Sequence, residues 1–140
     1  MSKQINFTIY GEPVAQGRPK FSTFGGNVRA YDPKKSKDFK EYCKLAAADH
    51  RPETLLDGPL KMEVKVYKSI LKSFSKKKAI TAEQGILRPT TKPDVDNYVK
   101  GIKDALKSII WKDDSQVVEL TVSKWYSEVP RIEVSINQLF

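Results

Sequence analysis

TKPDVDNYVKGIKDALKSIIWKDDSQV, Thr91 to Val117, decides the reading of this chain. It holds two acidic pairs, Asp94/Asp96 and Asp113/Asp114, with a helical pattern between them. The pattern predicts a helix from Asn97 to about Ile110. Val95, Val99, Ile102, Leu106 and Ile109 recur at helical spacing and make one apolar face, at about 100° per residue. Asp96, Lys100, Lys103 and Lys107 fall on the opposite stripe, which sets Asp96 and Lys100 one turn apart. Pro93 precedes the helix, and Asp94 stands at the N-cap position. Asp113 and Asp114 reach back to the first pair only if the strand after them runs beside the helix.

Carboxylates gathered at one point cannot all stay ionised without a cation, and Mg²⁺ is the hard, oxygen-seeking ion that such a group suits. A lysine beside them stabilises charge on a phosphate or orients an attacking water. The implied chemistry is metal-assisted hydrolysis of a phosphodiester. Each piece also has a plainer meaning. Asp-x-Asp at a helix start caps the helix and complements its dipole, Asp-Asp-Ser before a strand makes a turn, and Lys100 pairs with Asp96 or Asp104 on the helix surface. The conjunction of all three favours the chemical reading.

The rest of the composition narrows the choice. With 140 residues, one domain spanning 1–140 is expected. Its 25 Lys+Arg against 17 Asp+Glu give a net charge of +8, which points to an anionic polymer as partner. Cys43 is the only cysteine and His50 the only histidine, which excludes an intramolecular disulfide, zinc fingers and histidine-metal nuclease motifs. Cys43 lies inside an apolar helical pattern and reads as a core residue. No apolar run approaches the ~20 residues that span a membrane, and MSKQINFTIY lacks a signal peptide's apolar core. The expected location is the cytoplasm.

Ile5, Phe7 and Ile9 alternate as a half-buried strand, and GEPVAQGRPK (Gly11–Lys20) follows as a basic loop with Arg18 and Lys20. Gly25-Gly26 marks a hairpin that carries Arg29 and Tyr31, types suited to phosphate contact and base stacking. Asp32-Pro33 caps a helix running to about Asp49, with Phe39, Tyr42, Cys43 and Ala46 as its buried stripe. Leu60, Met62, Val64 and Val66 form a strand; Ser75 starts a short helix that bears the Lys76, Lys77, Lys78 run. Val118, Leu120 and Val122, then Ile132, Val134 and Ile136, read as an antiparallel hairpin with one buried face. The fold class expected is α+β: a small, mostly antiparallel or mixed sheet with helices packed on one face.

KPDVDNYVKGIKDAL followed by WKDDSQV resembles the signature of the RusA family of Holliday-junction resolvases, found in bacteria and their prophages. GEPVAQGRPK is similar to the family's N-terminal Gly-x-Pro … Arg-Pro segment, and Tyr31-Asp32-Pro33 before the first helix fits as well. The connection KSIIW departs from the family in lacking a common glycine. The resemblance implies a homodimeric, Mg²⁺-dependent endonuclease, with Mn²⁺ as a substitute, that cuts four-way DNA junctions in recombination and repair. It places the catalytic carboxylates at Asp94, Asp96 and Asp114, with Asp113 as a further ligand candidate, and the essential lysine at Lys100. Asn97 and Asp104 also match the pattern. Arg18, Lys20, Arg29 and Lys76–Lys78 are then the expected contacts to DNA backbone. Two other readings share these residues: a nuclease for flaps or other branched DNA, and a non-catalytic DNA-binding module with a structural acidic cluster. A phosphatase with Asp-x-Asp is disfavoured, because that pair follows a buried strand and here Lys92-Pro93 precedes a helix.

Overall fold

Leu60, Met62, Val64 and Val66 alternate without interruption and are all fully buried, so one face of the strand that carries them is covered along its length. That strand is β4, Leu60–Ser69, and it sits inside a four-stranded sheet. The computed structural model describes residues 3–15, 20–24, 27–31 and 34–140, and for 20–24, 27–31 and Ser36 it describes the backbone alone. The elements are β1 (Gln4–Tyr10), β2 (Lys20–Phe24), β3 (Asn27–Tyr31), α1 (Lys34–Ala48), β4, α2 (Lys76–Glu83), α3 (Val95–Leu106), β5 (Val117–Ser127) and β6 (Arg131–Gln138). Their order and kind make an α+β fold. β2 and β3 pair as the expected hairpin, although its Gly25-Gly26 turn and the Asp32-Pro33 cap lie outside the described residues.

The sheet order is β1-β6-β4-β5. β1 is antiparallel to β6 and β6 to β4, whereas β4 and β5 are parallel. This corrects the expected β5–β6 hairpin: β4 lies between the two. Met62 stands opposite Ile136 on one side and Leu120 on the other, and Val64 opposite Val134 and Val122. The apolar face of β5 gives out at Lys124, so β5 suits the edge. The short link from β5 to β6 is pinned as it passes the end of β4. The Glu83 carboxylate accepts from Ser127 Oγ (3.3 Å) and Glu128 N (2.8 Å), while Arg131 Nη1 donates to Ser127 Oγ (3.0 Å) and Val129 O (2.8 Å). A register shift at Leu60/Lys61 leaves Val118 out of the pairing, and the side chain expected to be buried is 60% exposed.

α1 and α3 pack against each other and cover one face of the sheet. Cys43 and Ala47 are the buried residues of α1, whereas Tyr42, expected inside, faces out. Burial pushes the Cys43 thiol up to about 12, which fits a core residue rather than a nucleophile. His50 is also structural: its ring stacks on Phe7 with centroids 5.4 Å apart. α2 starts as expected at Ser75, whose Oγ accepts from Lys78 N (3.2 Å), and lies beside β5.

The buried stripe of α3 is Tyr98, Val99, Ile102, Ala105 and Leu106; Val95 stays outside it. The helix stops at Leu106, short of the expected Ile110. The turn that follows buries Ile110 and Trp111 completely, and Leu56 N donates to Ile110 O (2.8 Å) to hold it there. Ser108 takes φ of +71° in this turn, within the KSIIW segment that lacks a glycine, and its N–H donates to Trp111 O at 2.7 Å.

A left-handed conformation costs a non-glycine residue roughly 1–2 kcal/mol, partly offset by glycine's larger unfolded entropy. Ser108→Gly is therefore expected to stabilise the protein by about 1 kcal/mol in urea denaturation. A loss of stability would show that the Ser108 side chain holds the turn.

Candidate active site

The first turn of α3 projects carboxylates where the helix dipole favours them. Asp94 occupies the N-cap position with extended backbone, φ −72° and ψ 155°, yet its side chain makes no capping hydrogen bond. Asp96 follows in the first turn, and Asn97, Lys100, Lys103 and Asp104 continue the outward face. Among the described residues neither Asp96 nor Lys100 is in an ion pair, so the plainer reading of Lys100, a surface bridge to Asp96 or Asp104, is not met. Asp104 instead lies 3.7 Å from Lys40 of α1.

The second acidic pair divides its labour. Asp113 precedes a 3-10 turn, Asp114–Gln116, and closes a capping box: its carboxylate accepts from Ser115 N (3.0 Å), and Gln116 Oε1 accepts from Asp113 N (2.9 Å). The Ser115 backbone N–H first, then the Ser115 side chain, and more weakly Lys107 and Lys112, hold the Asp113 carboxyl below the usual range. Gln116 Nε2 donates to Leu56 O (2.9 Å) and Gly58 O (3.2 Å), which ties this turn to the chain before β4. Asp114 is used differently. Its Oδ1 accepts the indole N–H of Trp111 at 2.8 Å, and Trp111 is wholly buried. A rigid donor therefore fixes the plane of this one carboxylate and leaves its second oxygen for other work.

Because β5 runs back beside α3, the two acidic segments meet. A cleft of about 490 Å³ is lined by Asp96, Asn97, Val99, Lys100, Lys103, Asp104, Asp114 and Leu120. Asp94 and Asp113 are not in its lining. Among the described residues, no three His, Cys, Asp or Glu side chains gather closely enough to enclose a metal ion. The donor set still fits Mg²⁺ chemically. It consists of carboxylate oxygens without thiolate or imidazole, and Mg²⁺ is commonly held by one or two carboxylates with water and substrate phosphate completing its shell. Of the three carboxylates in the cleft, Asp104 lies against Lys40, which leaves Asp96 and Asp114 as the residues that would hold it.

Of the expected DNA contacts, Arg18 lies outside the described residues, and the side chains of Lys20 and Arg29 do too. Lys76, Lys77 and Lys78 form the exposed first turn of α2, with Lys78 Nζ 4.4 Å from the centre of the Phe74 ring. Trp111 is the residue that sequence reasoning missed. Its signal was present: an indole donor two residues ahead of an acidic pair, at the end of an apolar run. Among the described residues, no helix is long and apolar enough to cross a membrane.

With the cleft in view, the comparisons with known proteins are specific. Residues 10–137 match the family of the endodeoxyribonuclease RusA. The chain belongs to the RusA family and is thus a hydrolase, an endonuclease of DNA. It is 63% identical over 137 residues, 96% of each chain, to the uncharacterized protein YqaN of Bacillus subtilis (strain 168). It is 25% identical over 142 aligned positions, 99% of this chain and 100% of the relative, to the crossover junction endodeoxyribonuclease rusA of Lactococcus phage r1t.

Trp111→Phe removes the donor to Asp114 and also part of a fully buried ring system. A hydrogen bond to a charged group contributes about 1.5–3 kcal/mol, and the cavity left by the smaller ring adds to that loss in denaturation. DNA cleavage is expected to fall more than stability does. Cleavage at the parental rate would show that Asp114 needs no orientation.

Proposed function

We propose that this chain resolves four-way (Holliday) DNA junctions in recombination and repair, as a Mg²⁺-dependent homodimer that places paired nicks. The observation that carries the reading is the one cleft in which Asp96, Asp114 and Lys100, unpaired among the described residues, meet, on a chain of net charge +8 in the RusA family. The name of the phage relative, a crossover junction endodeoxyribonuclease, supports the choice of substrate.

In this reading Asp96 and Asp114 hold the cation, and Asp94, with its carboxylate free of any cap, joins them when substrate is bound. Bound there, Mg²⁺ supplies Lewis-acid polarisation of the phosphate and neutralises developing charge; Mn²⁺ is the natural substitute. Lys100 stands one helical turn from Asp96 and is not engaged by any carboxylate among the described residues. Its ammonium donates to the phosphate as negative charge builds on its oxygens, an interaction strongest in the transition state. Trp111 keeps the Asp114 carboxylate aimed. Arg18, Lys20, Arg29 and the Lys76–Lys78 turn bind the DNA backbone, which makes affinity steeply salt-dependent. Resolution needs symmetric nicks in opposing strands, and a two-fold dimer supplies two such sites.

The test is cleavage of a synthetic four-way junction, a flap and a linear duplex, each with and without Mg²⁺. The junction is expected to be cut best, and only with the metal. Equal cutting of flaps would make the enzyme a general branched-DNA nuclease. Asp94→Asn, Asp96→Asn and Asp114→Asn are each expected to abolish cleavage while junction binding persists. Asp113→Asn is expected to keep most cleavage, because asparagine also caps helical turns. Lys100→Ala should cut the rate by orders of magnitude with little change in affinity; a parallel fall in affinity would make it an ordinary phosphate contact.

A further inference from the structure

Two lysines lie where a sequence reader sees only surface charge. Lys124 of β5 directs its Nζ to Thr91 O (2.8 Å) and Pro93 O (3.0 Å). Lys68 of β4 directs its Nζ to Lys92 O (3.3 Å). Together they hold three consecutive carbonyls, and the next residue is Asp94. The two strands pair with Val66 opposite Lys124 and Lys68 opposite Tyr126, so both lysines rise from the sheet face that α3 covers.

The arrangement is costly for a mere loop tie. Among the described residues neither ammonium has a carboxylate within ion-pair distance. Burial first, and then the charge of Lys124, lower the pKa of Lys68, while Glu12 opposes the shift. Neutral donors would hold three carbonyls without that mutual repulsion. The backbone at Lys124 is itself fixed: Arg88 Nε donates to Lys124 O at 2.6 Å, and the Arg88 guanidinium lies 3.4 Å over the Trp125 ring. The same strand begins directly after the turn that carries Asp114. β5 thus links both halves of the cleft: Asp114 precedes it, and Lys124 along it grips the approach to Asp94 and Asp96.

We propose that Lys124, assisted by Lys68, is a positioning residue that sets the start of α3 and so the geometry in which its carboxylates receive a divalent cation. The proposal rests on the reading of the cleft as a metal-dependent nuclease site. Groups that orient metal-binding side chains at one remove typically contribute 10–100-fold in metal affinity or activity.

The experiment uses the full chain. Mg²⁺ is titrated into the protein alone, followed by amide chemical shifts of Asp94, Asp96, Lys100 and Asp114, and separately into a junction-cleavage reaction; junction binding is measured in EDTA. Lys124→Met is expected to raise the half-saturating Mg²⁺ about 10–100-fold in both titrations. Cleavage should recover towards the parental rate at saturating Mg²⁺, and junction binding in EDTA should not change. Lys124→Arg should restore most of the Mg²⁺ affinity. Lys68→Met, which removes one longer contact, should shift the titration in the same direction by less, and it serves if Lys124→Met fails to fold. A parental Mg²⁺ dependence in the lysine variants, with only a lower melting temperature, overturns the proposal. So does a matching loss of junction binding, which would make Lys124 a DNA contact, or a parental protein whose α3 amides ignore Mg²⁺. A parental protein that binds Mg²⁺ at these residues yet cuts no junction would refute the resolvase reading alone; the chemical-shift titration would still decide the role of Lys124.

Discussion

The site depends on β5 running parallel to β4. Parallel neighbours cannot be joined by a tight turn; the chain must leave the sheet and return through a crossover. Here the crossover contains α2 and α3. It brings α3 back over the sheet and leaves β5 to start beside it. Were β5 the hairpin partner of β6, nothing would oblige the turn before it to approach α3. The parallel pairing makes Asp114 a neighbour of the helix that carries Asp96 and Lys100.

Packing enforces this arrangement more strongly than the site itself does. Met62, Val64 and Val66 are each buried between a strand on either side and helices above. Ile102, Leu106, Ile110 and Trp111 lock α3 and its following turn into the same core. A fully buried side chain of this size contributes roughly 1.5–3 kcal/mol, so the scaffold can carry local conflicts near the cleft. Those conflicts are visible. Leu120 is 44% exposed in the cleft wall, Asp96 and Lys100 are unpaired among the described residues, and Lys68 and Lys124 press two like charges together. Local choices that disagree with stability and gather at one place are the mark of a functional site.

Much of this was legible before the fold was known. Alternation identified β1, β4 and β6, and helical spacing identified α3 with Asp96 and Lys100 on its outer face. Alternation reports which side chains face inward but not which strand lies alongside, so the place of β4 between β5 and β6 was hidden. Ile109 and Ile110 continue the helical pattern, yet the helix ends at Leu106 and a turn carries Ile110 and Trp111 into the core, which spacing alone does not show. Asp113 and Asp114 are chemically identical in sequence. What separates them is one indole N–H and one capping box, both set by tertiary structure. Lys68 and Lys124 resemble solvated lysines until the carbonyls opposite them are known.

In the proposed reading the start of α3 and the turn before β5 form one cation site. Substituting Fe²⁺ for Mg²⁺ and adding ascorbate and peroxide generates radicals that cut the polypeptide only near the bound ion. Peptide mapping is expected to show cuts in two separate segments, around Asp94–Lys100 and around Trp111–Gln116, both suppressed by excess Mg²⁺. Cuts confined to one segment, or elsewhere in the chain, would contradict the account.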